Sequence, residues 1–177
     1  VEIDMWLGMK SALRAATLGA LIATGALFSA LPASAQDAKL GKDIWITKAP
    51  CKNCHGWAGH GVADDPQAPV GFSLRTTTLN QAQLAEVILC GRPGSEMPYF
   101  DRNAYTDARC YGMTKEQLGG MSIGQGSTTL TAREAAALAM FIVAEFVGKP
   151  APTFEECDAF WGAGAARCRE YPRAGAR

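Results

Sequence analysis

Cys51-Lys52-Asn53-Cys54-His55 reads C-x-x-C-H, and this stretch decides what the rest of the 177-residue chain is built around. Two thiols three positions apart can each form a thioether to one vinyl group of a haem, and the adjoining imidazole then lies where it can bind the iron. A bare C-x-x-C also serves as a dithiol redox pair or as half of a zinc site. The redox pair expects a strand just ahead of the motif, and Gly41 to Lys48 followed by Pro50 supplies none. Zinc needs a second close ligand pair, whereas Cys90, Cys110, Cys157 and Cys168 stand singly and His60 is the one other histidine. The expectation is one haem c, with Cys51 and Cys54 as its covalent anchors and His55 as an iron ligand.

Covalent haem attachment and structural disulfides both belong to an exported, oxidising compartment. Met9 to Arg14 forms a short basic stretch, Ala15 to Leu31 an apolar one, and Ala33-Ser34-Ala35 a small-residue cleavage site. Residues 1–35 are therefore expected to be a signal peptide, with residues 1–8 an upstream start-site extension, and the mature chain is placed in the periplasm. An uncleaved anchor is the competing reading, because the apolar stretch approaches the roughly 20 residues that span a bilayer. No other segment is a candidate membrane span: Ala135 to Ala144 is too short and is bracketed by Glu134 and Glu145. The formal charge is zero, from 17 basic and 17 acidic residues, and no polybasic run points to nucleic acid.

The remaining pattern is helical and loop-rich, with no alternating run long enough for a sheet. Leu40 to Lys48 is expected as a first helix that turns Ile44 and Trp45 inward, and Gly56 to Gly71 as an irregular loop. Asn80 or Thr78 caps a helix through about Leu89, with Thr78 and Gln81 at capping-box spacing. Thr114 to Leu118 adds one turn. Thr131 and Glu134 form a capping box for the longest helix, Ala132 to about Val147, which Gly148 and Pro150 end.

A sixth iron ligand separates electron transfer from ligand chemistry. Of Met97, Met113, Met121 and Met140, Met97 is best placed, in a loop braced by Pro93 and Pro98. Met113 and Met121 remain candidates, and Met140 reads as core packing in a helix. His60 is tethered too close to His55 to reach the opposite face. The other four cysteines imply two disulfides in any of three pairings. Cys90 with Cys110 and Cys157 with Cys168 is the favoured set, because the first would clasp the loop carrying Met97 and the second would staple the C-terminal tail.

This order of parts resembles the class I (monohaem) cytochromes c: Gly41 and Trp45 in a short helix, Cys51 to His55, Pro69, Met97-Pro98, and a final helix from Ala132 to Val147. The resemblance covers about residues 38–148. It implies an all-α class I cytochrome c fold, a few short helices and long loops around one covalently bound haem. Residues 36–147 would form the cytochrome domain and 148–177 a disulfide-stapled extension, which either covers one side or docks a partner. It also implies that the first and last helices cross at Gly41 with Phe141 or Phe146 in the contact, and that the Pro69 carbonyl, or that of Pro66, accepts the second ring N–H of His55. Trp45, Trp57 and Tyr99 either donate to propionates or line the crevice, or else pack as core aromatics.

The implied function is a periplasmic one-electron carrier with His55 and Met97 on the iron, not an enzyme. Its partners would be a dehydrogenase as donor, a quinoprotein alcohol dehydrogenase among the options, and a terminal oxidase or second cytochrome as acceptor. The other function class is a haem enzyme or gas-binding protein with an open or displaceable sixth position. That class calls for a distal base, and only His60 is available.

Overall fold

The computed structural model describes residues 33–175, so the expected signal peptide lies outside the described residues except for the backbone of its last three. Among those described, the architecture is all-α: α1 (Ala33–Asp43), α2 (Lys52–His55), α3 (Gln81–Cys90), α4 (Ala132–Glu145) and α5 (Phe154–Trp161). Short 3-10 turns cover Lys115–Leu118 and Ala166–Glu170. Extended pairing among the described residues is limited to isolated bridges, Tyr99 with Gln125 and Cys110 with Met113. No helix of the described residues is long and apolar enough to cross a membrane.

The first helix starts seven residues before the expected Leu40, at Ala33, because Ala33, Ala35 and Ala38 are strong helix formers. It then widens into a single π-helical turn, Ile44–Lys48, in which the Ala49 amide reaches back to the Ile44 carbonyl at 3.0 Å. The Thr47 hydroxyl donates to the Asp43 carbonyl at 2.6 Å, a local bond that competes with the regular ladder. The extra residue per turn aims both Ile44 and Trp45 at the core, where they are 1% and 0% exposed.

Helix α3 is capped at Asn80, and its capping box pairs Asn80 with Gln83, not Thr78 with Gln81. The Asn80 side chain accepts the Gln83 amide at 3.0 Å and the Gln83 side chain accepts the Asn80 amide at 2.9 Å. An Asn whose oxygen reaches the third helical amide outcompetes the threonine two residues earlier. Helix α4 opens on the expected Thr131 and Glu134 box. Glu134 also pairs with Lys48 and is held below the usual carboxylate range, chiefly by that ammonium and then by the Thr131 amide.

Helices α1 and α4 cross at Gly41. A Cβ there would fall onto the Ala137 carbonyl and within 2.5 Å of the Phe141 Cβ, so two backbones meet where any side chain would separate them. Trp45 fills the corner beside this crossing, its ring 4.9 Å from that of Phe146 and 6.3 Å from that of Phe141. Leu84 and Ile88 of α3 and Leu138 and Ile142 of α4 complete this main core. Gly41→Ala is expected to lower stability by about 1–3 kcal/mol through overpacking, even though alanine is intrinsically the better helix former by about 1 kcal/mol. Thermal unfolding of the variant checks this, and a gain in midpoint would show that the crossing tolerates a methyl.

Both favoured disulfides are present, Cys90–Cys110 and Cys157–Cys168. Each is the centre of a small satellite core. Cys90, Ala104, Tyr105, Cys110 and Leu118 pack behind the C-terminal end of α3. Cys157 and Cys168 pack with Trp57 and Ala58, so the C-terminal extension covers the face just beyond the C-x-x-C-H turn.

Candidate functional site

Pro50 cannot continue the preceding helix, and the chain restarts as the one-turn helix α2. Within that turn Cys51, Cys54 and His55 are spaced i, i+3 and i+4, which places them on one side. So short a helix leaves its carbonyls without internal partners, apart from that of Lys52, which takes the Gly56 amide at 2.8 Å. The following loop supplies them: the amides of Asp64, Asp65, Gly71 and Gly61 bond to the carbonyls of Lys52, Asn53, Cys54 and His55 at 2.9–3.3 Å. The glycine- and proline-rich stretch is thus irregular because it wraps the attachment turn.

That turn forms part of the wall of a predominantly apolar cavity of about 480 Å³. Trp45, the α2 residues and the Ala68–Leu74 loop contribute to the wall, as do α3, the Arg92–Pro98 loop, Phe100 and Ile142. The volume lies within the range of about 300–1,000 Å³ typical of small-molecule and cofactor sites. Cys51, Cys54, His55, Pro69 and Met97, the five residues singled out in the sequence, all line it. Of the four methionines after the motif, Met97 alone does so. Met113 packs into the satellite core around Cys90 and Cys110, and Met121 is 46% exposed beside Gly94. His60 stands away from the cavity, against Trp57 and Tyr171.

The two thiols are free. Burial pushes Cys51 up to about 12, and its Sγ donates to the Ala49 carbonyl at 2.7 Å. Cys54 is also raised, by burial and then by Asp65. Dithiol exchange and zinc ligation both use the thiolate, which these surroundings disfavour. Nor do the described residues hold any group of three or more His, Cys, Asp or Glu side chains able to share a metal ion.

The His55 Nδ1–H donates to the Phe72 carbonyl at 2.8 Å. This corrects the expectation for Pro69 and Pro66: the loop carries its chain past the ring, and the acceptor is three residues beyond Pro69, which lines the cavity without taking the bond. Burial lowers the basicity of His55, the Phe72 carbonyl opposes that, and the Arg92 charge adds to it. With Nδ1 occupied, Nε2 keeps its lone pair, the arrangement of a metal-ligating imidazole. No protein-family model, curated protein or solved structure matches this chain.

The aromatic candidates divide. Trp45 lines the cavity with its ring, but its N–H donates to the Trp57 carbonyl at 3.1 Å. Trp57 donates its N–H to the Tyr171 hydroxyl at 2.7 Å, and Tyr99 lies outside the cavity wall. Trp45 thus lines the crevice with an engaged polar tip, whereas Trp57 and Tyr99 are packing aromatics. Arg92, which follows the end of α3, was not singled out in the sequence, yet it is the cation on the wall, joined there by Glu96. Its position between a helix end and the Met97 loop was the available signal.

The residues present fit a covalently held haem. Two unpaired thiols, an imidazole with one nitrogen committed, and a thioether share one apolar cavity with an arginine able to pair with an acidic substituent.

Proposed function

We propose that this chain is an exported one-electron carrier with a class I cytochrome c fold and a single haem c. The observation that carries the reading is that Cys51, Cys54, His55 and Met97, which are separated along the chain by up to 46 positions, line the same apolar cavity. Bound there, the haem would supply reversible one-electron iron chemistry. Cys51 and Cys54 would hold it through thioethers, and the His55 imidazole and the Met97 thioether would hold the iron. A soft, neutral thioether favours the ferrous state and sets a more positive potential than a second imidazole would.

With His55 and Met97 both committed to holding the group, no bond would be made or broken in a substrate. Val70 and Phe72 flank Gly71 at the cavity wall and are 76% and 78% exposed. Large apolar side chains held in water at the rim of a site suit transient docking of a protein partner. On this reading a periplasmic dehydrogenase gives the electron and an oxidase or second cytochrome takes it. The two structural disulfides agree with an oxidising compartment.

The test is the visible spectrum of the matured protein in both oxidation states, with carbon monoxide added to the ferrous form. The expected result is low-spin His/Met character and no carbon monoxide binding. Met97→Leu should convert that to near-stoichiometric binding and lower the potential, because leucine cannot coordinate. Rapid binding by the unaltered protein would transfer it to the class of gas-binding proteins or haem enzymes.

A further inference from the structure

We propose that Tyr105 and Tyr111 are positioning residues for Met97: their hydroxyls seize the carbonyls of Cys90 and Gly91, the two residues from which the Met97 loop departs. This rests on the reading of Met97 as an iron ligand. The Tyr105 hydroxyl donates to the Cys90 carbonyl at 2.8 Å, and the Tyr111 hydroxyl donates to the Gly91 carbonyl at 2.7 Å. The last residue of α3 and the glycine after it are thereby held by side chains of a later segment, 15 and 20 positions further on. The Cys90–Cys110 disulfide anchors that segment to the same point.

Both tyrosines adopt left-handed backbone conformations, with φ of 61° for Tyr105 and 55° for Tyr111. Bulky residues avoid that region unless their surroundings impose it. Here the imposed turn is what swings each ring back onto α3. Tyr105 is 5% exposed and meets Tyr99 edge-on at 6.2 Å. Burial raises both phenols, Tyr111 to about 12, so both stay protonated donors.

From Gly91 the loop has little freedom. Its left-handed backbone packs against the far end of the loop, where an added Cβ would lie 2.6 Å from the Pro98 carbonyl carbon and 2.8 Å from the Met97 oxygen. The Arg92 amide closes the ring by bonding to the Met97 carbonyl at 3.1 Å. Fixing the carbonyls of residues 90 and 91 therefore fixes the backbone of residue 97. The Asp101 to Tyr111 stretch is the arm that brings both hydroxyls into place.

The experiment uses the matured holoprotein with Tyr105→Phe, Tyr111→Phe and the double variant, which keep each ring and remove only the hydroxyl. Haem attachment and helix content should be unchanged, while carbon monoxide binding to the ferrous form accelerates about tenfold for each lost hydroxyl. Hydrogen exchange should rise in the Arg92–Met97 amides and not in α4. Arg109→Ala, which removes exposed ion pairs in the same arm, should leave the rate unchanged. If the double variant does not fold, Tyr111→Phe alone decides, because that ring is already 36% exposed. Wild-type His/Met spectra with no change in rate in the variants would overturn the positioning role alone. Rapid carbon monoxide binding by the unaltered protein would overturn it together with the ligand assignment.

Discussion

On the proposed haem c reading, replacing Cys51 and Cys54 together by alanine is expected to leave a chain from which acidified organic solvent extracts all haem, whereas the unaltered protein should retain it on a denaturing gel. The two thiols are the only free cysteines, so no other side chain can form the thioether. After extraction, the apolar wall of the cavity loses its occupant. Residual cavities cost about 24 cal/mol per Å³, and 480 Å³ converts to on the order of 10 kcal/mol as an upper bound, since this cavity opens to water. Net stabilities of single domains are about 5–15 kcal/mol. The extracted variant should thus be largely unfolded at temperatures where the holoprotein is intact. Circular dichroism during heating measures this, and an extracted variant with the wild-type midpoint would show that the fold does not depend on the group.

The elements most legible in the sequence were those specified by short-range chemistry. Thr131 and Glu134 mark the start of α4 because a capping box is a local bond pattern. The two disulfides were readable because each encloses one coherent segment, the Met97 loop and the tail. The inward aim of Ile44 and Trp45 follows from helical periodicity, although the π-helical turn that achieves it leaves no sequence signature beyond Thr47.

What stayed hidden was set by long loops. The acceptor for His55 depends on how Ala68 to Leu74 is threaded, and nothing in that sequence separates the Phe72 carbonyl from that of Pro69. The resemblance pointed to a proline, while the path of this loop determined the partner. The polar tips of Trp45 and Trp57 were likewise assigned by contacts more than ten positions away. In each case the missing information is a tertiary hydrogen bond, whose partner composition and spacing do not encode.

Arg75 was invisible for the same reason, and Arg75→Leu is expected to lower stability by about 3 kcal/mol, near the low end for removing one partner of a buried pair. The residue is 5% exposed and forks to three acceptors: Nε donates to the Ala58 carbonyl at 2.9 Å, and the two terminal nitrogens donate to the Pro150 carbonyl and to Glu156. It therefore ties the loop after the attachment turn to the C-terminal extension. Glu156 keeps 25% side-chain exposure, so water can take up its charge, which is why the lower figure applies. The Ala58 carbonyl, in a residue that is 0% exposed, has no such recourse. For a domain of this size the loss corresponds to a fall of about 10 °C in the unfolding midpoint.

Arg75→Lys should recover little, because an ammonium cannot reproduce a planar fork with three separated acceptors. Glu156→Gln should cost less than Arg75→Leu, since it leaves both carbonyl bonds in place. If Arg75→Leu with Glu156→Leu proved as stable as the parent, the carbonyl bonds would count for nothing and the fork would be a packing feature. The expected result is that the double variant regains only the part due to Glu156, because apolar substitution relieves an unpaired carboxylate and does nothing for the Ala58 and Pro150 oxygens.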